Sequence, residues 1–92
     1  MEKTVRLSIT GQVQGVGYRL WATRTAARLG LRGWVRNRTD GSVEALVTGT
    51  PETVGAMTEA SRKGPIGARV TDLTIIPDLD DVSVGFVSRP TE

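Results

Sequence analysis

Cysteine and histidine are both absent from this sequence of 92 residues. The lack of cysteine excludes disulfides and thiolate metal sites. The lack of histidine removes the commonest general base and the commonest metal ligand, so serine–histidine catalysis, cysteine–histidine catalysis and most zinc chemistry are excluded as well. An enzyme with this sequence must therefore work with arginine, lysine, carboxylates, asparagine, hydroxyl groups and backbone amides.

Long apolar runs are also missing. A helix that spans a bilayer needs about 20 apolar residues, and the apolar runs here are no longer than three residues. Residues 1–6 lack the apolar stretch of a secretory signal. We therefore expect a cytoplasmic protein without membrane contact. The length fits one domain over residues 1–92 and no second core, and a monomer is the simplest expectation.

Basic residues are concentrated in the first part of the chain. Residues 1–38 carry eight basic side chains and one acidic side chain, a net charge of +7. Residues 39–92 carry four basic and nine acidic side chains, a net charge of −5, so the overall charge is only +2. The basic part is suited to an anionic ligand, although single arginines could instead cover apolar surface with their aliphatic stems.

The hydropathy pattern predicts two helices and four or five strands. Val5, Leu7 and Ile9 alternate with polar residues, which is typical of a half-buried strand. The predicted elements are a strand over residues 4–10, a helix over 18–29, strands over 31–38 and 43–48, a helix over 51–63, a strand over 68–76 and a possible short strand at Val82, Val84 and Phe86. This βαββαβ order matches the split βαβ pattern. We expect an α+β fold in which two helices cover one face of an antiparallel sheet.

The loop between the first strand and the first helix is the sharpest feature of the sequence. Gly15 and Gly17 permit positive φ angles, so consecutive amides of this loop can turn inward as an anion-binding nest. The helix start adds unpaired N–H groups. Arg19 opposes the helix dipole there, but its guanidinium could grip two oxygens of a phosphate. On turn chemistry alone, an anion site and a glycine-rich turn with a solvated arginine fit equally well.

Two separated blocks carry a resemblance to a known family. They are Gly11-Gln12-Val13-Gln14-Gly15-Val16-Gly17-Tyr18-Arg19 and Leu29-Gly30-Leu31-Arg32-Gly33-Trp34-Val35-Arg36-Asn37, the second followed by Asp40-Gly41-Ser42-Val43-Glu44. With this spacing, the chain resembles the acylphosphatases over nearly its whole length. Two known phosphate motifs do not fit, because the Gly-Lys-Ser/Thr ending of a triphosphate loop and the third glycine of a dinucleotide fingerprint are missing.

The resemblance implies a fold, a reaction and a set of site residues. The fold is a ferredoxin-like α/β sandwich, and the reaction is hydrolysis of a small-molecule acyl phosphate to a carboxylate and inorganic phosphate. The family needs no metal ion, no other cofactor and no covalent intermediate. The resemblance implies that Arg19 binds the phosphate and that Asn37 positions the attacking water. The phosphate cradle would consist of the backbone amides of Gly15, Val16, Gly17, Tyr18 and Arg19.

The chemistry of these residues agrees with that assignment. A carboxylate leaving group, whose conjugate acid has a pKa of roughly 4, departs without an enzymatic proton donor, so the absence of histidine is no handicap. Phosphoryl transfer mainly requires positioning and stabilisation of charge. The amide of Asn37 can accept a hydrogen bond from water but cannot remove the proton. The substrate phosphate or bulk water would receive that proton.

Several residues have a second interpretation. Asn37 could cap the hairpin before Asp40-Gly41. Trp34 is expected to pack, Tyr18 to be a core residue rather than an acid, and Arg36 and Arg38 to be solvated. Arg38 also stands where many members of the family have threonine, which leaves hydroxyl support of Asn37 open.

The alternative function is a non-catalytic phosphate- or RNA-binding module on the same fold. RNA-binding sheets stack bases on exposed aromatic side chains, and this chain has only four aromatic residues. We therefore expect no nucleic-acid partner. A domain that binds without turnover could also have lost Arg19 or Asn37, and both are present.

Overall fold

The computed structural model describes residues 1–78 and 85–92. The elements in chain order are β1 (Lys3–Gln12), α1 (Tyr18–Arg28), β2 (Arg32–Asn37), β3 (Val43–Gly49), α2 (Pro51–Lys63), β4 (Arg69–Pro77) and β5 (Phe86–Ser88). The sequence also predicts a loop over residues 77–81, of which Pro77 instead ends β4. Residues 79–81 of that loop and the predicted strand residues Val82 and Val84 lie outside the described residues. All six main predicted elements are present, and β1 is longer than predicted because Gly11 and Gln12 continue its pairing with β4.

The five strands form one open sheet in the order β4-β1-β3-β2-β5. The β1–β3, β1–β4 and β2–β3 pairs are antiparallel, as predicted, but β5 pairs with β2 in parallel. The expectation of a wholly antiparallel sheet is therefore wrong at its last strand. The reason lies in the strand directions: β4 runs opposite to β2, so a strand that runs opposite to β4, as β5 does, is parallel to β2.

The hydrophobic core lies between the two helices and one face of this sheet. The alternating residues Val5, Leu7 and Ile9 of β1 are fully buried there, as their pattern predicts. The helices contribute mostly small residues to the same core, namely Ala22, Thr25 and Ala26 from α1 and Val54, Met57, Thr58 and Ser61 from α2. The result is an α+β fold of the ferredoxin-like type, which confirms the fold class.

The small residues of α2 leave room for the ring of Tyr18. The Tyr18 hydroxyl donates a hydrogen bond to the carbonyl oxygen of Ser61 at 2.6 Å. A Cβ added to Gly64, which ends α2 with a φ of 69°, would lie 2.6 Å from the Tyr18 ring. The ring of Tyr18 therefore requires glycine at position 64, directly after α2, and its hydroxyl is paired by the backbone of α2.

The opposite face of the sheet is covered by charged side chains. Trp34 lies on this face and is only 6% exposed. The guanidinium groups of Arg6, Arg36 and Arg89 lie 5.7, 4.7 and 4.9 Å from its ring centroid, close enough for cation–π attraction. Glu44, on the neighbouring strand β3, accepts hydrogen bonds from Arg6 and Arg36. Trp34 packs, as predicted, but the prediction that Arg36 is solvated is wrong, since its side chain is only 14% exposed.

Neither helix of the described chain combines the length and the apolar character that a membrane span requires.

Candidate active site

The loop from Val13 to Gly17 joins β1 to α1 and is shaped by two glycines. Gly15 and Gly17 have φ angles of 75° and 79°, in the left-handed region that other residues avoid. An added Cβ would meet nothing within 4 Å at either position, so the backbone angle and not a lack of space requires glycine there. Gly17 is the N-cap of α1 and provides no side-chain capping bond, so the first amides of the helix are available to an anion.

Gln14 fastens this loop to the hairpin between β2 and β3. Its side-chain Nε2 donates hydrogen bonds to the carbonyl oxygens of Arg38 at 2.8 Å and Ser42 at 2.9 Å. The hairpin is itself held by Asp40, whose Oδ1 accepts from the Ser42 hydroxyl and amide, and those bonds hold the pKa of Asp40 below its usual value. No pattern in the sequence predicts this role for Gln14. The only available signal was an amide side chain inside the glycine loop, because its partners lie far along the chain.

A cavity of about 450 Å³ brings the two principal predicted residues together. Arg19 and Asn37 both line it, together with Gly15, Gly17 and Tyr18. The side chain of Val16, the remaining member of the predicted cradle, packs partly buried against the core. Any contribution of Val16 to the cavity must therefore come from its backbone amide. The cavity also includes Thr23 and Ser88, which the sequence reasoning did not single out.

Arg19 lies in the first turn of α1, and its positive charge is not paired with a carboxylate in the way that the charges of the outer-face arginines are. Its Nη1 donates to the carbonyl oxygen of Arg89 at 3.3 Å. Within residues 1–78 and 85–92, no carboxylate pairs with Arg19. Thr23 donates its hydroxyl to the Arg19 carbonyl oxygen at 2.8 Å, one turn further along the helix. Arg19 is thus held by a neutral acceptor at the edge of the cavity and keeps its charge available.

Asn37 is the last residue of β2 and faces the helices. Side chains alternate along a strand, so Asn37 lies on the same face as the buried Val35, whereas Arg36 and Arg38 lie on the other face. Accordingly, Arg38 pairs with Glu44 at 3.4 Å on the outer face and does not line the cavity. No residue of the described chain bonds the Asn37 side-chain amide. Since no buried polar side-chain atom in this part of the structure is unpaired, the amide is accessible to water.

Asp40, rather than Asn37, caps the hairpin. The Ser42 amide and hydroxyl donate hydrogen bonds to the carboxylate of Asp40. Asp40 therefore has the capping role that the sequence left open for Asn37. Asn37 is therefore free to act in the cavity.

Tyr18 is structural at its side chain. The residue is buried, and burial raises the pKa of its hydroxyl to about 12, despite the hydrogen bond to Ser61. The hydroxyl therefore stays protonated at neutral pH and is occupied by that bond. Only the backbone amide of Tyr18 is left to donate a hydrogen bond to an anion in the cavity.

The cavity is suited to binding a phosphate-sized anion. It is lined by a guanidinium that no described carboxylate pairs with, by the backbone of a glycine-containing loop at a helix start and by an amide side chain that is accessible to water. The described residues contain no group of three or more carboxylates that could hold a metal ion. A second, more apolar depression of about 620 Å³ adjoins the cavity along α1 and shares Gly17 and Leu20 with it.

Comparison with known proteins identifies the family. A family model described as Acylphosphatase matches residues 5–87. The chain belongs to the acylphosphatase family. An acylphosphatase of Rhodospirillum rubrum is 51% identical over 89 residues, which are 97% of this chain and 98% of that relative. An acylphosphatase of Albidiferax ferrireducens is 54% identical over 86 residues, which are 94% of this chain and 92% of that relative.

The fold agrees with that family as well. The solved structure of an acylphosphatase from Coxiella burnetii superposes with a TM-score of 0.92 at 30% sequence identity, and the match covers 96% of this chain and 93% of that chain. The resemblance seen in the two sequence blocks is thus confirmed, and the chain is a hydrolase of the acylphosphatase family.

Proposed function

We propose that this acylphosphatase hydrolyses the carboxyl–phosphate bond of small-molecule acyl phosphates by direct, in-line attack of water, without a metal ion. The products are a carboxylate and inorganic phosphate. The observation that carries the proposal is one cavity that is lined by the Arg19 guanidinium, which no described carboxylate pairs with, by the water-accessible amide of Asn37 and by the glycine loop.

The phosphate group would bind at the start of α1. The guanidinium of Arg19 offers two N–H donors to two phosphate oxygens, and the amides of residues 15–19 offer further donors around them. These donors are fixed before the substrate arrives, because Gln14 fastens the loop and the helix fixes the amides. Preorganised donors stabilise the charge that develops on the equatorial oxygens during phosphoryl transfer.

The attacking water would be aimed by Asn37. Its side-chain oxygen accepts a hydrogen bond from the water and orients a lone pair toward phosphorus. As the new oxygen–phosphorus bond forms, the bond to the acyl oxygen breaks and the carboxylate leaves with the electron pair. The proton of the water passes to a phosphate oxygen or to bulk water, since a carboxylate leaving group needs none.

The acyl group would leave the phosphate cavity past Leu20. Leu20 is 56% exposed, which is high for a large apolar side chain. It lines both the cavity and the adjoining apolar depression, so an acyl group bonded to the phosphate has apolar surface directly in front of it.

The proposed setting is the one that the sequence predicts. We propose a monomer of one domain that acts in the cytoplasm. A nucleic-acid function lacks comparable support, because Trp34, the aromatic residue nearest to such a pattern, is buried beneath arginines.

The decisive experiment is an assay with a small acyl phosphate in excess chelator. The wild-type chain should release carboxylate and phosphate, and inorganic phosphate should inhibit it. Arg19→Gln and Asn37→Ala should each lower kcat/KM about 10²–10³-fold, the usual cost of removing a preorganised hydrogen-bonding group. Arg62→Gln is the matched control for charge, because Arg62 lies on α2 in a surface pair with Glu59. Turnover that needs a metal ion, or that survives both site substitutions, would contradict the proposal.

A further inference from the structure

Residues 89–92, here called the tail segment, continue beyond β5 along the edge of β2. The Arg89 amide donates to the Val35 carbonyl oxygen at 2.8 Å. The Glu92 amide donates to the Asn37 carbonyl oxygen at 3.1 Å, and the Thr39 amide donates to the main-chain oxygen of Glu92 at 3.3 Å. The tail segment therefore bonds the backbone at Asn37, two residues before it and two residues after it.

Side chains hold the tail segment in this position. The carboxylate of Glu92 pairs with the guanidinium of Arg36. The guanidinium of Arg89 lies 4.9 Å from the ring centroid of Trp34 on the outer sheet face. The carbonyl oxygen of Arg89 accepts the bond from Arg19 at 3.3 Å. The tail segment thus contacts both principal residues of the proposed site.

The edge of β2 needs such a partner at Asn37. On one side, β3 pairs with it through Val43. On the other side, β5 ends at Ser88, opposite Val35, so β5 itself does not reach Asn37. A residue at the end of a strand frays where its backbone is bonded on one side only, and the direction of its side chain varies with its backbone angles. The bond from Glu92 fixes the backbone at the position where the amide must be aimed.

We propose that the tail segment is a positioning element for Asn37, acting through the hydrogen bond from the Glu92 amide to the Asn37 carbonyl oxygen. This inference rests on the proposed role of Asn37 in aiming water. Because the water and not the phosphate depends on Asn37, loss of this bond lowers kcat and leaves the affinity for inorganic phosphate unchanged.

The test compares two substitutions of one residue. Glu92→Pro removes both the carboxylate and the amide N–H, whereas Glu92→Ala removes only the carboxylate and is the matched control. Relative to Glu92→Ala, the proline variant should have a kcat about fivefold lower, which corresponds to one net hydrogen bond of about 1 kcal/mol. The inhibition constant of inorganic phosphate should be the same in both. Equal kcat values would overturn the inference.

A second comparison separates positioning from general destabilisation. In an Asn37→Ala background, Glu92→Pro and Glu92→Ala should have the same kcat, because the group to be positioned is gone. A further fall in that background would show that the tail segment acts elsewhere and would overturn the inference. If Asn37→Ala alone is as active as the wild-type chain, the proposed role of Asn37 itself fails, which is a different outcome.

A measurement on the wild-type chain does not require the proline variant to fold. The amide of Glu92 should be protected from exchange with solvent, relative to its own intrinsic exchange rate, at least ~10-fold more strongly than the amide of Thr91, whose N–H no described residue accepts. Equal protection of the two amides would show that the bond is not maintained in solution and would also overturn the inference.

Discussion

Arginines occupy two regions of this acylphosphatase, and their positive charges have different partners in the two regions. On the outer sheet face, Arg6, Arg36 and Arg38 all contact Glu44, within 2.7 to 3.4 Å. In the cavity, the Arg19 guanidinium donates its hydrogen bond to a carbonyl oxygen and pairs with no carboxylate among the described residues. Both groups contribute to the basic excess of residues 1–38. The comparison shows that this excess includes a network of paired arginines that covers Trp34 and, at a helix start, an arginine that no described carboxylate pairs with.

The difference has opposite consequences for stability and for function. An arginine whose charge is paired and whose stem covers an aromatic ring stabilises the fold. An arginine in the first turn of a helix opposes the helix dipole and destabilises that helix slightly. Arg19 is therefore at a position that the fold alone does not favour, and an anion in the cavity would compensate it.

The largest expected effect is a reciprocal pattern between Arg19→Gln and Arg36→Gln. The first should lower kcat/KM about 10²–10³-fold and leave Tm nearly unchanged. The second should lower Tm by several degrees, because about 1–2 kcal/mol of charged hydrogen bonding and ring contact is lost, and it should keep most of the activity. Steady-state kinetics and thermal unfolding of both variants measure this. If the two variants lost activity equally, the division into two regions would be wrong.

A somewhat smaller effect is expected for stabilisation by inorganic phosphate. At about 100 times its dissociation constant, phosphate should raise the free energy of unfolding by about 2.7 kcal/mol, since it binds only the folded chain. That corresponds to a rise in Tm of roughly 10 °C or more for a domain of this size. Calorimetry at fixed ionic strength should show the rise for the wild-type chain and Arg36→Gln, and only a small one for Arg19→Gln. Equal rises in all three would place phosphate on the outer face or nowhere specific.

The smallest expected effect concerns the pH dependence of stability. Burial alone would raise the pKa of Glu44, but the hydrogen bonds and charges of Arg36 and Arg6 outweigh it and hold that pKa below its usual value. A carboxylate whose pKa is lowered by folding stabilises the fold above its unfolded pKa, and this stability is lost as the pH falls through the folded pKa. Between pH 5 and pH 3, the wild-type chain should therefore lose stability more steeply than Glu44→Gln.

Chemical unfolding at several pH values checks this expectation. A residual slope should remain in Glu44→Gln, because Asp40 also has a lowered pKa through its bonds from Ser42. Identical slopes for the two chains would contradict the role assigned to Glu44.

Local signals in the sequence were sufficient for most of the fold. Thr50 is a residue type that caps helices and Pro51 is favoured at the first helical position, and Thr50 indeed accepts a bond from the Thr53 amide at the start of α2. The direction of β5 was not predictable in this way, because it depends on which sheet edge the chain reaches after β4. The burial of the Arg36 side chain was not predictable either, because it depends on ion pairs with Glu44, in β3, and with Glu92, in the tail segment.

The candidate site likewise combines features that follow from local sequence with features that depend on residues far apart in the chain. The glycine loop and Arg19 are contiguous in the sequence, so their proximity follows from local structure. Asn37 could be joined to them only through the family resemblance, and the structure indeed places it in the same cavity. Gln14 and the tail segment escaped prediction because they act by bonding backbone carbonyl oxygens, which carry no residue-specific signal.

The central claim is that Arg19, the amides of residues 15–19 and Asn37 face one bound phosphate. A crystal structure grown with inorganic phosphate tests it most directly. The account predicts an anion at the start of α1, with oxygens about 2.7–3.2 Å from the Arg19 guanidinium and the loop amides and with the Asn37 side chain directed toward it. An anion bound among the outer-face arginines, or an Asn37 side chain turned away from the cavity, would contradict it.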